Sequence, residues 1–169
     1  MPTSAIEIKP LTPDDAAAYR TLMLRALEEF PASFGVSHAE VLAQGDAEVT
    51  ERLRSVLALG ASTADGALVG LVELKRMSLI KMRHRAVVGR LYVARALQGA
   101  GLGRRLMEAV IEAARATPGV EQLSLVVDNE NAAALRLYAS LGFERFGVEP
   151  REIKVDGRYH DSAHLWLRL

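Results

Sequence analysis

Apolar and polar positions along the chain recur at two periods, and the period changes several times. Ala5-Ile-Glu-Ile-Lys9 alternates and predicts a first strand. Thr12-Pro13-Asp14-Asp15 reads as a helix start, with Thr12 as N-cap, proline at the first helical position and acids in the first turn. Ala16, Tyr19, Leu22, Met23, Ala26 and Leu27 then share one helical stripe that lasts to about Glu29, ahead of Pro31. A second helix is predicted over His38 to Leu57. Residues 58–63 and 67–77 read as two strands joined at Ala64-Asp65-Gly66, because Asp-Gly favours a tight hairpin turn.

Arg85 to Val93 predicts a further strand. After it Leu102, Leu106, Val110 and Ala113, with Met107 and Ile111 beside them, mark a helix that ends near Thr117-Pro118-Gly119. Leu123 to Val127 is a short apolar strand. Asn131 can cap a helix carrying Ala134, Leu135, Tyr138 and Leu141, with Gly142 as its terminator. Strands near Phe143–Val148 and Arg151–Leu169 complete the chain, with a second Asp-Gly turn at Val155-Asp156-Gly157-Arg158. The expectation is a mixed α/β (α+β) chain in which helices interrupt a largely antiparallel sheet. A length of 169 residues fits one domain over 1–169 with a substantial core.

Composition removes several chemistries. There is no cysteine, hence no disulfide, no thiolate nucleophile and no cysteine metal site. The first ten residues carry no apolar run resembling a signal peptide, and no stretch approaches the roughly 20 apolar residues of a membrane span, so a cytoplasmic protein without a membrane partner is expected. Net charge is zero, yet unevenly placed. Residues 26–51 hold Glu28, Glu29, Glu40, Asp46, Glu48 and Glu51 and no Lys or Arg. Residues 74–107 hold Lys75, Arg76, Lys81, Arg83, Arg85, Arg90, Arg95, Arg104 and Arg105 and no acid. A nucleic-acid partner is not expected, because that basic segment has no interleaved aromatic beyond Tyr92.

Between the strand at 85–93 and the following helix lies Gln98-Gly-Ala-Gly-Leu-Gly-Arg-Arg-Leu106, with glycines at alternate positions. A loop that leaves a strand and opens a helix offers free backbone N–H groups and the positive end of the helix dipole, a combination that favours an anion such as phosphate. Glycines let that backbone come close to the ligand. The Walker pattern would need Gly-Lys-Ser/Thr where Gly103-Arg104-Arg105 stands, and the dinucleotide fingerprint would need its third glycine one position later.

Gln98-x-x-Gly101-x-Gly103 after Leu91-Tyr92-Val93 resembles the acyl-CoA loop of the GNAT family of N-acetyltransferases. Asn131-Ala-Ala-Ala-Leu-Arg-Leu-Tyr138-Ala-Ser-Leu-Gly142-Phe143 resembles that family's second signature, and the close match covers roughly residues 86–143. The resemblance implies a mixed, mostly antiparallel central sheet splayed between its fourth and fifth strands, often helped by a bulge, and flanked by about four helices. It implies acetyl-CoA as co-substrate. Coenzyme A would pair with the backbone of Leu91, Tyr92 and Val93, its pyrophosphate would rest on the amides of Gly99, Ala100, Gly101, Leu102, Gly103 and Arg104, and Gln98 and Asn131 would belong to the same cofactor site. Tyr138 falls at the family's general-acid position, and a phenol with a pKa near ~10 is protonated at neutral pH.

Many relatives carry a glutamate base on the strand before the loop, whereas Arg85-Ala-Val-Val-Gly-Arg-Leu-Tyr-Val93 has no carboxylate. Glu73, His84 or a water are the candidates. Among relatives the first two helices and the last hairpin line the acceptor side, so the acids of 28–51 favour a cationic acceptor, a primary amine of a small molecule or peptide. The missing carboxylate tilts the choice toward an α-amine, near ~7.7–8, or another amine of lowered pKa. His160, Asp161 and His164 could suggest a metal, but their spacing gives at most three ligands and no metal site is expected. Trp166 suits packing or a subunit contact, as in a homodimer. A non-catalytic acyl-CoA-binding module is the alternative reading.

Overall fold

In the computed structural model, which describes residues 6–169, the alternating stretches pair into one seven-stranded sheet. β1 (Glu7–Pro10), β2 (Leu57–Ser62), β3 (Leu68–Arg76) and β4 (Arg85–Val93) form one half, and β5 (Gln122–Asp128), β6 (Glu144–Val155) and β7 (Arg158–Arg168) the other. Their order is β1-β2-β3-β4-β5-β7-β6, and every pairing is antiparallel except β4 with β5. The first strand starts later than expected and runs to Pro10, while Ala5 lies outside the described residues. Asp156 and Gly157, at φ of 47° and 81°, put both central residues of the β6–β7 turn in the left-handed region that matches strand twist.

The helices depart from expectation in two places. α1 (Ala16–Glu29) grows out of a short 3₁₀ turn, where the Thr12 N–H and hydroxyl both donate to the Asp15 carboxylate at 2.7 and 3.1 Å. Thr12 is the expected N-cap, but its side chain donates, and it is its carbonyl that accepts the Asp15 N–H at 2.9 Å. The single helix expected over His38–Leu57 is two, α2 (His38–Ala43) and α3 (Asp46–Ser55), and Leu57 already belongs to β2. The Glu40 carboxylate accepts the Ser37 N–H at 2.8 Å, and the Glu48 carboxylate accepts the Gly45 N–H at 2.8 Å. Each acid thus starts its own helix, and the extended Gly45 between them breaks the run. α4 (Leu102–Ala116) and α5 (Ala132–Ser140) follow the predicted pattern. The final hairpin does not break near residue 150; β6 continues through a bulge in which Arg151, at φ 58°, donates its N–H to Asp161 at 2.8 Å.

Strand alternation divides the core between the two faces of the sheet. Val72, Leu74, Ala86, Val88, Leu123 and Leu125 pack beneath α4, against Leu106, Met107 and Val110. Leu71 and Tyr92 point the other way, into a cluster with Tyr19, Leu22 and Met23 of α1, Val41 of α2 and Val49 and Leu53 of α3.

On that second face one carboxylate is buried. Glu73 of β3, only 3% exposed, accepts hydrogen bonds from the Tyr19 hydroxyl and from Arg52 of α3, whose Nε donates at 2.9 Å and whose Nη2 forms the second bond of the fork. Arg90 of β4 adds a guanidinium 3.9 Å away and donates to the Tyr19 hydroxyl oxygen at 2.6 Å. Burial first, and the Glu73 charge second, push the Tyr19 hydroxyl up to about 12, so it stays a donor. This cluster ties α1, α3, β3 and β4 together. Glu73→Ala would leave two guanidiniums without their carboxylate. Breaking a buried pair costs about 3–5 kcal/mol, and the expected loss in urea unfolding is near the lower end because the Arg52 side chain is 34% exposed.

Candidate active site at the parting of β4 and β5

β4 and β5 pair for three residues only, Arg85 to Val87 with Gln122 to Ser124. Beyond that seam they separate. Against β3, Tyr92 faces Leu71 and Gly89 faces Glu73, so Arg90 and Leu91 together oppose Val72. This two-against-one bulge, with Arg90 at φ 53°, bends β4 away from β5. Arginine has no intrinsic preference for the left-handed region, and here its side chain is held by Tyr19 and Glu73. The charge cluster and the parting of the strands are thus one construction.

The gap is a cleft of about 420 Å³. Leu91, Tyr92, Val93, Gln98, Gly99, Gly103, Asn131 and Tyr138 line it; Ala100, Gly101, Leu102 and Arg104 stand just behind, in the loop and the first turn of α4. Several of these side chains have structural partners, which leaves mainly their backbone for a ligand. Tyr92 donates to Glu29 at 2.9 Å within the second core, and burial followed by that contact pushes its hydroxyl up to about 12. Leu102 is buried beneath α4. Gln98 donates from its side-chain amide to the Val93 carbonyl at 2.8 Å, so it shapes the strand end. Arg104 donates to Ser140 at 2.5 Å, linking α4 to α5. Asn131 is the α5 cap foreseen from its position, accepting the Ala134 N–H at 3.1 Å.

The loop glycines have separate reasons. Gly99 and Gly101 sit at φ of 80° and 82°, and a Cβ on either would meet nothing within 4 Å, so the ground in front of the loop is open. Gly103 has ordinary geometry, but a Cβ there would stand 3.8 Å from Leu137 and 3.9 Å from Val93, across the narrow end of the cleft. The leading N–H groups of α4 have no helical partner and mark the same end as electropositive.

Tyr138 is 8% exposed, and its ring meets Phe143 edge to face at 5.9 Å. Burial pushes its pKa up to about 12. Among the described residues no hydrogen bond holds its hydroxyl, and its ring is a wall of the cleft.

Neither Glu73 nor His84 lines the cleft. Glu73 is held in the buried ion pair, and His84 sits before β4, beside the β4–β5 seam, where its carbonyl accepts the Glu121 N–H at 2.7 Å. Five of the six acids of 28–51 are likewise engaged elsewhere: Glu40 and Glu48 in helix caps, Glu29 with Tyr92 and Arg25, Glu28 beside His38, and Glu51 with Arg54. The carboxylates that do face the cavities at the open end are Asp128, Glu130, Glu152 and Asp156. The sequence singled out only Asp156, as a turn residue, since their common location arises only when β5 and the β6–β7 hairpin meet. His160 and His164 share a face of the regular β7, whereas Asp161 points to the other and fixes Arg151. Glu149, Glu152 and His164 bring their ligand atoms within 4.8 Å of one another, two of the three residues being exposed. No helix among the described residues is long and apolar enough to cross a membrane.

Known proteins agree with this geometry. The model of the acetyltransferase (GNAT) family matches residues 21–143. The chain is 29% identical over 103 residues to the spermidine N(1)-acetyltransferase of Escherichia coli, covering 61% of this chain and 54% of that one. It is 45% identical over 62 residues to the N-alpha-acetyltransferase RimI of Mycobacterium tuberculosis, 37% of either chain. The matched segment thus spans about half the length of these curated relatives, or less. The structure of yncA from Salmonella typhimurium with its cofactor acetyl-CoA superposes with a TM-score of 0.80 at 26% identity, over 98% of this chain and 95% of that one. With a matching family model over most of its length and the parted strands and glycine loop in place, the chain belongs to the GNAT family of acetyltransferases.

Proposed function

We propose that residues 1–169 form one acetyl-CoA-dependent N-acetyltransferase domain that transfers acetyl to a primary amine of a small molecule or peptide by direct attack in a ternary complex. The observation that carries this reading is the three-residue seam between β4 and β5, which leaves the edge of β4 facing a cleft closed at one end by the glycine loop. Acetyl-CoA, when bound, supplies the activated acyl group as a thioester.

The chain's own residues fit such a ligand. The bulged edge at Leu91 to Val93 offers main-chain groups to a partner that lies alongside like an added strand. The amides from Gly99 to Arg104 face an anion, with no side chain in front of Gly99 or Gly101. An N–H of the bulged strand is the donor for the developing oxyanion. The Tyr138 hydroxyl, unpartnered and protonated, gives its proton to the departing sulfur. A free phenol at this place favours a catalyst over a module that only binds the thioester. The acceptor is expected to be cationic before reaction, as spermidine is for the first relative and an N-terminal amine is for the second.

Three outcomes are expected. In isothermal titration the wild type binds acetyl-CoA, and Gly101→Asp, which sets a carboxylate before the loop amides, binds at least tenfold more weakly, whereas Gly101→Ala, which carries the same left-handed strain without the charge, loses less affinity at a similarly lowered melting temperature; a wild type that does not bind ends the proposal. Tyr138→Phe binds acetyl-CoA like the wild type but turns over about 10²-fold or more slowly, the scale of a lost proton donor. Equal turnover would remove Tyr138 from the mechanism. Thermal melting as a function of pH gives the third check. The Tyr138 pKa rises from 10.0 to about 12 on folding, so its contribution is intact below pH 10 and is lost as pH climbs toward 12. The melting temperature of Tyr138→Phe should fall less steeply across that window.

A further inference from the structure

Two cavities adjoin the acetyl-transfer cleft at its open end, and Ser33 and Asp128 are walls of all three. Asp128, the last residue of β5, is only 14% exposed on its side chain. One carboxylate oxygen accepts the Glu130 N–H at 2.9 Å; the other has no hydrogen bond and lies 3.6 Å from Nδ1 of His160 on β7. That Nδ1 is itself buried without a hydrogen-bond partner, and the His160 side chain is 13% exposed. No Lys or Arg among the described residues comes within ion-pair distance of Asp128, because the nearby Arg158 is engaged by Glu130 at 2.8 Å. A half-buried carboxylate with one oxygen free of hydrogen bonds and a buried, unpaired ring nitrogen, 3.6 Å apart, leave a place for a third group that donates to both.

We propose that Asp128 and His160 form the landing and deprotonation site of the acceptor amine, an inference that rests on the transferase reading above. An alkylammonium carries three N–H donors, so one can reach the free Asp128 oxygen and another His160 Nδ1, with the imidazole proton on Nε2. Asp128 supplies the counter-charge that draws the ammonium in. His160 takes one proton from it, leaving a neutral amine. The amine nitrogen then forms a bond to the thioester carbonyl carbon, the C–S bond breaks, and sulfur receives the Tyr138 proton. The second amine proton, shed as the amide forms, restores Tyr138, and the proton on His160 returns to solvent. The site takes over the work of the carboxylate that β4 lacks, and Glu73 and His84 are left outside the chemistry.

The test uses Asp128→Asn and His160→Gln in the full chain, with spermidine, an alanine-starting peptide and a series of simple primary amines of falling basicity. Titration of each amine into protein saturated with coenzyme A should show Asp128→Asn binding at least tenfold more weakly, while acetyl-CoA binding and melting temperature stay as in the wild type. His160→Gln should keep the amine affinity and lower kcat about 10²-fold for strongly basic amines, with a shrinking deficit as the amine's own basicity falls. Amine binding and turnover at wild-type levels in both variants would overturn the inference, and so would losses matched by weaker acetyl-CoA binding and earlier melting. A wild type that binds acetyl-CoA yet neither binds nor acetylates any amine would defeat the transferase reading itself, and this inference with it.

Discussion

The seam at which Arg85–Val87 meets Gln122–Ser124 governs the molecule. Parallel strands normally stay paired for their length, since each unpaired backbone group taken from water costs free energy. Here the pairing stops after three residues, and the features on both sides of the seam keep the strands apart. The bulge turns β4 aside. Arg90 holds the bulge from beneath through Tyr19 and Glu73, and Arg52 balances that carboxylate. Gln98 occupies the last carbonyl of β4, so the strand ends cleanly at the glycine loop.

This arrangement assigns the two faces of the sheet different tasks. Beneath α4 the core is wholly apolar and sets the floor of the cleft. On the other face α1 and α3 contribute the buried charges that shape β4, and the segment from Phe30 to Gly35 reaches over to the open end, where Ser33 stands against Asp128. A replacement of Tyr19, Arg52 or Glu73, none of which lines the cleft, is felt there through the placement of β4.

Much of this was legible in the sequence where the signal is local. The glycine loop, the Asn131 cap, the amphipathic α4 and both Asp-Gly turns depend on residues within one or two turns of each other. The break at Gly45 was missed because a run of good helix formers hides two carboxylates that each cap their own short helix. The family resemblance implied a bulge but not its place, since arginine does not announce a left-handed conformation; what holds Arg90 there comes from residue 19 and residue 73. Glu73 stood as a candidate base, and its buried ion pair was hidden because its partners are 21 and 54 positions away. His160 was noticed only as a possible metal ligand, and its meeting with Asp128 escaped for the same reason, the two being brought together only by the β5–β7 register.

Two half-sheets joined by so short a seam make a fold that is structurally unfinished on its own. Any ligand that spans the gap supplies the contacts a continuous strand would have made, and by mass action it adds RT ln(1 + [L]/Kd) to the free energy of unfolding. The abundance of that ligand then becomes a determinant of how long the chain survives unfolding and proteolysis. A cell whose supply runs low would lose the protein as well as its turnover.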